Sequence, residues 1–273
     1  MPTSTYSHIP SFVAMLLHVR PASILDVGLG NGKLGFIARD FLDVMMGEKY
    51  RREEWKTKID GIEVFENYIQ EHQRAIYDDI FIGDAFDVID TVGQYDMVIL
   101  GDVLEHFKED RAWQFLDKCA SHCDRYMILN IPLGDKWIQP AIYGNPNEEH
   151  LSYWSFDQFS PFVEIYELHD MPELGKYACM LIRRDDYIVY RTAVKACEIL
   201  SAEGMEKAFE YFDLMISGLG KDIKNEYVFV DSLVNSDRMQ EAINRLKNIV
   251  RQYPDEAQVK IYLDNLKARR DTE

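Results

Sequence analysis

The chain has 273 residues, which is long enough for one large hydrophobic core or for a domain with an appendage. Its formal net charge of -17 argues against nucleic acid and against an anionic membrane surface as partners. The four cysteines form no C-x-x-C pair, and the apolar run 9–19 has neither the flanks of a signal peptide nor the length of a membrane helix, so we expect reduced thiols in a cytoplasmic protein.

The first predicted elements are a helix, a strand and a second helix. Ser11 is placed to cap a helix that ends at Val19, before Pro21. An apolar, β-prone run over 23–26 follows. Three glycines at every second position then separate this run from apolar residues that recur at helical spacing over 33–46. The pattern predicts a strand, a tight turn and a helix that packs against a sheet.

Further strands and helices alternate after a polar surface connection over 47–58. The predicted elements are strand 58–63, helix 66–76, strand 80–82, strand 95–100, helix 110–123, strand 126–131 and a hairpin of strands 162–168 and 177–182. This alternation predicts an α/β fold with a doubly wound, mostly parallel, seven-stranded sheet. Ligands bind such sheets at the carboxyl ends of the strands.

Two segments depart from the alternation. The connection 132–161 is long and rich in aromatic residues, so we expect an ordered lid in which Trp137 and Trp154 either pack or stack on a ligand. Beyond residue 190 only helical patterns remain. The residues before Pro254 match two degenerate tetratricopeptide units, with a generic helical bundle as the alternative. In these units Ala208 and Ala242 take the small packing position and Phe212 and Leu246 the bulky one, whereas Glu226 stands where tryptophan is usual. We therefore expect one domain over 1–190 and a helical region over 191–273 that packs on it or forms a homo-oligomer.

The glycine turn fits two motifs. Such a turn accepts positive φ, so that backbone N–H groups at the helix N-terminus can lie against a ligand. Gly30, Gly32 and Gly35 match the G-x-G-x-x-G dinucleotide fingerprint, whereas the alternative frame starts at Gly28 as Asp-x-Gly-x-Gly-x-Gly. A dinucleotide unit expects an acidic residue about 20 positions on. Glu63, at the next strand end, lies too far from Gly30 for that unit, which favours the second frame.

Four sequence blocks stand at predicted strand ends, in the order SILDVGLGNGK, DGIEVF, IGDAFD and YDMVILGDVLEHF. Over about residues 9–183 the chain resembles the class I S-adenosylmethionine (SAM)-dependent methyltransferases, departing from them at Leu29, where many relatives have a smaller residue or a cysteine. The resemblance implies a Rossmann-like fold and SAM as the cofactor. The implied cofactor-binding residues are Asp26, Gly28, Gly30 and Gly32 at the amino acid end, Glu63 at the ribose, Asp84 and Ala85 at the adenine, and Asp102 after the fourth strand.

Three acidic residues of this set, Asp26, Glu63 and Asp84, also have a purely structural interpretation. Glu63 and Asp84 could cap the helices that follow their strands, although capping by Asp84 is compatible with adenine binding. Asp26 could be a turn residue.

A further constellation follows the fourth strand. Asp102, Glu105 and His106 stand at i, i+3 and i+4, so on a helical turn their side chains point to one side, where an acceptor should lie. His150 could fold over from the lid. We expect Glu105, His106 and His150 to act on the acceptor, with either histidine as the general base.

Two other roles for this set stay open. Two carboxylates and two imidazoles suit a divalent cation, and the small-RNA 2′-O-methyltransferases and ubiquinone-pathway O-methyltransferases that use a metal carry a similar element. Many metal-free relatives also carry Leu-Glu-His here. The pair of Glu105 and His106 could instead be structural, and no metal ligand is assigned.

The predicted function is transfer of a methyl group from SAM to a hydroxyl or amine of a small molecule or glycan. An acidic chain with an aromatic lid suits such an acceptor better than nucleic acid. Two alternatives belong to other classes of protein. One is an NAD(P)-dependent oxidoreductase that uses the other glycine frame. The second is a non-catalytic module that binds SAM or nothing and recruits a partner through its helical region.

Overall fold

The structure is a computed structural model that describes residues 5–219 and 222–270. The chain divides into two compact units, Met1–Arg184 and Asp185–Glu273. In the described ranges, no helix combines the length and the apolar character that crossing a membrane requires.

The first unit is built on one sheet of seven strands. The strands are β1 (Ser23–Val27), β2 (Lys58–Glu63), β3 (Ile80–Ile82), β4 (Tyr95–Gly101), β5 (Cys123–Leu133), β6 (Val163–Met171) and β7 (Gly175–Arg183). Their order across the sheet is β3-β2-β1-β4-β5-β7-β6. Strands β1 to β5 are mutually parallel, and β7 runs antiparallel to β5 and β6. The predicted fold class is therefore confirmed.

The strand order determines where a ligand site can form. Strand β1 pairs with β2 on one side and with β4 on the other, so the direction of the chain across the sheet reverses between them. At such a reversal the connections after neighbouring strands leave toward opposite faces, which opens a crevice at the carboxyl ends. The predicted site residues follow β1, β2, β3 and β4 and thus meet at this crevice.

Five helices belong to the first unit before the hairpin. They are α1 (Ile9–Val19), α2 (Lys33–Arg39), α3 (Glu71–Ile76), α4 (Ala85–Val88) and α5 (Glu109–Ser121). Phe12 and Leu16 of α1 and Leu34 and Ala38 of α2 pack with Ile24 of β1 in one buried cluster. Helices cover both faces of the sheet, which explains the near-continuous apolar character of β1 and β4.

Several predicted boundaries differ from the structure. Helix α1 begins at Ile9, and Ser11 does not cap it, because its Oγ lies 3.2 Å from Nε2 of His169. The predicted helix over 66–76 is interrupted: a 3₁₀ turn, Glu66–Tyr68, precedes α3. Cys123 begins β5 and does not end α5.

The predicted helix over 33–46 changes its hydrogen bonding part of the way along. After α2 it continues as a π-helical segment, Asp40–Met45. Here Nη1 of buried Arg39 donates to Oδ2 of buried Asp43 over 2.8 Å, and Asp43 Oδ1 accepts from the N–H groups of Lys56 and Thr57. Paired in this way, the two buried charges fasten the end of the helix to the connection that precedes β2.

The second unit is entirely helical in its described residues. Its helices are α6 (Arg184–Glu203), α7 (Met205–Ile216), α8 (Ile223–Asn235), α9 (Met239–Gln252) and α10 (Ala257–Arg270). The predicted small and bulky packing positions, Ala208, Phe212, Ala242 and Leu246, are all fully buried in its core. Glu226, at the position where tryptophan is usual in a tetratricopeptide unit, accepts hydrogen bonds from Arg245. The helical region is thus present, and its relation to tetratricopeptide repeats stays a prediction.

Candidate functional site

A cavity of about 600 Å³ opens at the carboxyl ends of the central strands, a volume typical of small-molecule sites. Gly32, which directly precedes α2 and has a φ of 76°, is not among the residues that line the cavity. The predicted site residues that do line the cavity are Asp26, Gly28, Gly30, Glu63, Asp84, Ala85, Asp102, Glu105, His106 and His150.

The three glycines of the turn all adopt positive φ. The angles are 67° at Gly28, 48° at Gly30 and 76° at Gly32, in the left-handed region that side chains with a Cβ rarely adopt. A Cβ at Gly28 would also lie 2.8 Å from Cγ2 of Val103, in the connection after β4. Glycine is therefore required here both by the backbone conformation and by the close approach of the next loop.

The structure differs from the expectation that the N–H groups of these glycines face a ligand. All three are already bonded within the protein, over 2.7 to 3.0 Å, to the carbonyls of Ile62 and Leu29 and to the carboxylate of Glu63. The turn thus contributes shape and room to the cavity.

Glu63 lies buried at the end of β2. Its Oε2 accepts the N–H of Gly30 over 3.0 Å and its Oε1 accepts the N–H of Phe65 over 2.9 Å. Burial raises the pKa of Glu63, and these backbone bonds act in the opposite direction. Because a carboxylate oxygen has more than one lone pair, each oxygen can still accept a hydrogen bond from a ligand.

Asp26 is held by a residue from a distant helix end. The hydroxyl of Tyr77, which follows α3, donates to Asp26 Oδ2 over 2.5 Å. Burial raises the pKa of Asp26 to about 7, although the bonds from Tyr77 and from the N–H of Gly35 lower it. A Cβ on Gly35 would lie 2.3 Å from the Tyr77 hydroxyl oxygen. Close packing against Tyr77 therefore explains why a glycine stands at position 35, the third glycine of the G-x-G-x-x-G frame.

Asp84 caps a helix and also lies at the cavity. Its Oδ1 accepts the N–H of Phe86 over 2.9 Å at the start of α4, and its Oδ2 forms a 3.0 Å ion pair with half-exposed Arg111. The structural interpretation of Asp84 as a cap is correct. It does not conflict with a binding role, since Asp84 and Ala85 both line the cavity.

Asp102, directly after β4, has a φ of 56°, a left-handed conformation that costs a residue with a Cβ about 1 to 3 kcal/mol. Its Oδ1 accepts a 2.7 Å hydrogen bond from the hydroxyl of Tyr177 on β7. Its N–H donates to the carbonyl of Asn130 on β5. A strained backbone conformation persists when surrounding contacts hold it. Here the bonds to Tyr177 and Asn130 hold Asp102 in this conformation and place its carboxylate at the cavity wall.

Glu105, His106 and His150 meet on the other side of the cavity. Each offers a ligand atom, and these atoms all lie within 4.8 Å of one another. The two imidazole centroids are 5.0 Å apart. Glu105 is fully buried, and neither of its carboxyl oxygens has a hydrogen-bond partner within residues 5–219 and 222–270. Burial, reinforced by the charge of Asp102, raises the pKa of Glu105 well above its usual value.

The chain around His150 is docked on the turn that carries Glu105. The N–H groups of Leu151 and Ser152 both donate to the carbonyl of Glu105, over 2.7 and 3.1 Å. The hydroxyl of Ser152 donates to the carbonyl of Leu104. The predicted approach of His150 to the turn after β4 is therefore present in the structure, and main-chain hydrogen bonds hold it there.

Hydrogen bonds to the main chain determine the tautomer of both histidines. Nδ1 of His106 lies 3.1 Å from the carbonyl of Glu149, and Nδ1 of His150 lies 2.6 Å from the carbonyl of Trp137. A carbonyl only accepts, so each Nδ1 carries the proton and each Nε2 keeps a lone pair. Burial lowers the pKa of both imidazoles, which favours the neutral form. The cluster can therefore accept a proton or ligate a cation.

Other cavity residues were not predicted. Lys33 directly follows the glycine turn and Glu148 stands two positions before His150, so proximity to a predicted residue was an available signal for both. Tyr177 lines the cavity from β7 and had no such signal. Of the two lid tryptophans, Trp137 lines the cavity, whereas Trp154 is buried against Trp113 and Phe159.

No protein-family profile matches the chain, and no curated protein matches it. Solved structures do match its fold. The magnesium protoporphyrin IX methyltransferase of Synechocystis PCC 6803, with bound SAH, is 18% identical with a TM-score of 0.45, covering 64% of this chain and 81% of that one. An O-methyltransferase family protein from Burkholderia thailandensis is 13% identical with a TM-score of 0.42, covering 64% and 56%. TehB from Haemophilus influenzae is 13% identical with a TM-score of 0.46, covering 66% and 63%.

The chain thus spans just over half of the Burkholderia protein and under two thirds of TehB. At these identities the likeness concerns the fold.

Proposed function

We propose that the protein is a SAM-dependent methyltransferase that transfers a methyl group to a hydroxyl or amine of a small molecule or glycan. One observation carries the proposal. Asp84, Glu63, the glycine turn and Asp102 line a single cavity, in the same order as the strands β3, β2, β1 and β4 that they follow. An elongated ligand along this edge would meet one group after another, as the sequence resemblance implies for SAM.

In this arrangement the adenine lies at Asp84 and Ala85, and Glu63 accepts hydrogen bonds from two ribose hydroxyls. The amino acid end lies at the glycine turn, near Asp26 and Asp102. Both Glu63 oxygens are oriented by backbone N–H groups before any ligand arrives, which reduces the cost of ordering the carboxylate on binding. Residues 1–190 would form the SAM domain and 191–273 a separate packing or oligomerisation region.

The acceptor side supplies proton removal and alignment. Methyl transfer from a sulfonium runs in line from sulfur to the acceptor atom, and holding the two partners in that geometry is a large part of the catalysis. His106 or His150 takes the acceptor proton at Nε2, while its Nδ1–H stays bonded to a main-chain carbonyl that keeps the ring oriented. Glu105 completes the wall next to both imidazoles.

The same residues also fit a divalent cation. Glu105, whose carboxyl oxygens have no partner in the described part of the chain, and one ring nitrogen of each histidine would hold it, since a carboxylate and two neutral imidazoles form a suitable donor set. The main-chain carbonyls bonded to each Nδ1–H are the outer contacts that orient ligating histidines. A cation there would polarise the acceptor oxygen.

Chelation separates the two roles. Loss of activity with a chelator and recovery with Mg²⁺ or Mn²⁺ would assign the cluster to a cation. Full activity after chelation would leave the general base as its role.

The lining of the lid favours an acceptor that carries several polar groups. Gln139, Asn145, Asn147 and Glu148 present amide or carboxyl side chains to the cavity, with Trp137 beside them. Amides and carboxylates hydrogen-bond hydroxyls, and an aromatic face packs against the apolar face of a ring. These residues support a small polar molecule or sugar as the acceptor.

The test is a screen of metabolites and glycans for a SAM-dependent gain of one methyl group in mass, with reactions that omit SAM as the negative control. Isothermal calorimetry with SAM provides the binding measurement. A nicotinamide absorbance change without SAM binding would favour the oxidoreductase. SAM binding with no product from any acceptor would favour the non-catalytic module.

A further inference from the structure

The polar atoms left for a ligand around Glu105 are hydrogen-bond acceptors. The ligand atoms of Glu105, His106 and His150 lie within 4.8 Å of one another. Neither carboxyl oxygen of Glu105 has a partner in the part of the chain that the structure describes. Each imidazole donates at Nδ1 to a main-chain carbonyl, so its other nitrogen accepts. A ligand that satisfies this cluster therefore has to donate several hydrogen bonds at one place.

A second buried carboxyl lines the same cavity from the lid. Glu148 is buried and stands two positions before His150. Its Oε1 accepts a 3.2 Å hydrogen bond from Nδ2 of Asn145, and its Oε2 lies 3.5 Å from Nε2 of Gln139. Both neighbours are neutral amides, which orient a carboxylate without compensating its charge. Because a buried charge is costly unless it is paired, the two carboxyls favour a cationic ligand over an anionic one.

The basic side chains of the cavity lining are placed elsewhere. Arg111 forms its ion pair with Asp84, on the side of β3. Lys33 begins α2, directly after the glycine turn. Lys108 is exposed to solvent, which screens its charge. The ligand is therefore the available source of positive charge for Glu105 and Glu148.

We infer that the methyl acceptor is a primary or secondary amine that binds as an ammonium at Glu105 and the two imidazoles, in the part of the cavity that Glu148 also lines. The inference rests on the proposed function and selects the amine over the hydroxyl. A primary ammonium donates three hydrogen bonds and accepts none, whereas a hydroxyl donates one. Bonds between an ammonium and a carboxylate are also the stronger, charge-assisted kind.

The transfer step balances with these groups. The ammonium gives one proton to the accepting nitrogen of His106 or His150, which frees the lone pair of the amine. The N–C bond then forms as the C–S bond of the sulfonium breaks, and the electron pair of that bond stays on sulfur. The products are a neutral thioether and a methylated ammonium, and the imidazolium returns its proton to solvent.

The movement of charge in this step also favours an amine. Positive charge passes from sulfur to the acceptor nitrogen, beside the buried carboxyl of Glu105, which stabilises it. A hydroxyl acceptor would develop negative charge as its proton leaves. That charge would arise next to the same carboxyl and be repelled by it.

A divalent cation at Glu105 is the competing occupant, because it also brings positive charge to a set of acceptors. Matched probes separate the two. Glucosamine, glucose and glucuronate share one ring and carry a positive, no and a negative charge at neutral pH. Benzylamine, benzyl alcohol and benzoate do the same on an aromatic ring. Saturation-transfer NMR on the full chain with SAH, in the presence of EDTA, would measure the affinity of each probe.

Glu105→Gln and Glu148→Gln remove the charges and keep the size of the side chains. Glu167→Gln is the matched control, since it changes an exposed glutamate of β6 outside the cavity lining. We expect the wild type to bind each amine roughly 10- to 150-fold more tightly than its alcohol, and the carboxylate most weakly. Glu105→Gln should reduce the ratio of amine to alcohol affinity to within about 3-fold, and Glu148→Gln should reduce it by less. Glu167→Gln should leave it unchanged.

Several results would contradict the inference. Equal affinity of amine and alcohol in the wild type would remove the ammonium subsite, while SAM binding would leave the proposed function standing. An amine preference that both Gln variants of the cavity retain would also exclude it, and Glu148→Gln decides alone if Glu105→Gln does not fold. Binding of Mn²⁺ without EDTA, lost in Glu105→Gln and accompanied by no amine preference, would assign the cluster to a divalent cation. Failure of the wild type to bind SAM or SAH in calorimetry would overturn the proposed function, on which this inference rests.

Discussion

The two sides of the cavity differ in how their polar groups are satisfied. At the ends of β1, β2 and β3, the carboxylates of Asp26, Glu63 and Asp84 each accept hydrogen bonds from protein donors. Across the cavity, the side-chain oxygens of buried Glu105 have no hydrogen-bond partner among the described residues, and each of the two imidazoles has a main-chain bond at Nδ1. The carboxylates on one side are oriented by protein donors before a ligand binds, whereas the carboxyl on the other side is not.

This difference indicates a division of labour. Groups held in advance by the main chain suit a ligand that is always the same, because little ordering is needed when it binds. An unpaired buried polar atom is costly, so a carboxyl of this kind at a cavity wall is available to a ligand, an ion or a reacting group. We therefore expect changes on the Glu105 side to act on turnover and changes on the Glu63 side to act on SAM affinity.

The largest expected effect is on the acceptor side. His150→Ala or His106→Ala should lower turnover on the acceptor found by screening about 10²- to 10⁴-fold, because the general base or a cation ligand would be lost. Calorimetry should show SAM affinity almost unchanged. The measurement pairs single-turnover methyl transfer with calorimetry on the same preparation.

His122→Ala is the matched control, because this partly exposed histidine lies outside the cavity lining. It should retain wild-type turnover. Near-normal turnover in both His106→Ala and His150→Ala would indicate that Glu105 and His106 have only a structural role. If the histidine variants lost SAM affinity to the same extent as turnover, the proposed division of labour between the Glu105 side and the Glu63 side would be wrong.

A smaller effect is expected from Glu63. Glu63→Ala removes the acceptor of the ribose hydroxyls and should weaken SAM binding by about 1.5 to 3 kcal/mol, roughly 10- to 150-fold. With saturating SAM, turnover should fall much less than in the histidine variants. Calorimetry that gave wild-type affinity in Glu63→Ala would remove this residue from the site.

Most of the fold and of the Glu63 side could be predicted from the sequence because they depend on local patterns. Glycines that need positive φ, and acidic residues placed directly after apolar strands, are visible in short windows of sequence. The strand-end positions of Glu63 and Asp84 required no knowledge of tertiary contacts.

The remaining features depend on contacts between residues far apart in the chain. The bond from Tyr77 to Asp26 joins residues separated by 51 positions, and the bond from Tyr177 to Asp102 spans 75. No periodicity encodes such pairs. The same reason explains why the sequence left the role of His150 open, since its position depends on main-chain bonds to Glu105.

A comparable effect on stability is expected from Tyr77, whose hydroxyl holds Asp26 in place before any ligand binds. Tyr77→Phe removes the donor to a buried carboxylate and should lower the free energy of unfolding by about 1 to 3 kcal/mol. The bond favours the ionised form of Asp26, whose pKa is about 7 in the folded protein. The loss should therefore be larger at pH 8, where Asp26 is ionised, than at pH 5.

The stability of the wild type should itself depend on pH through Asp26. Because burial raises the folded pKa of Asp26 above its usual value, the folded state holds the proton more tightly than the unfolded chain. This group therefore makes the free energy of unfolding fall as pH rises from about 4 to about 7. Urea titrations across this range provide the measurement, and an equal loss in Tyr77→Phe at pH 5 and pH 8 would contradict the assignment.

The smallest expected effect comes from removing the second unit. Every residue that lines the cavity belongs to the first unit. The buried cluster of the second unit lies wholly within residues 189–266, and the cluster around α1 and α2 lies within residues 12–181, so each unit has a core of its own. A protein that ends at Arg184 should therefore fold and bind SAM with an affinity within about 2-fold of the full chain.

Leu246→Asp in the full chain tests the same point without truncation, because it places a charge in the core of the second unit only. It should disrupt that unit, as seen in the loss of helical circular dichroism, and leave SAM affinity intact. A folded protein ending at Arg184 that failed to bind SAM would show that the second unit belongs to the site.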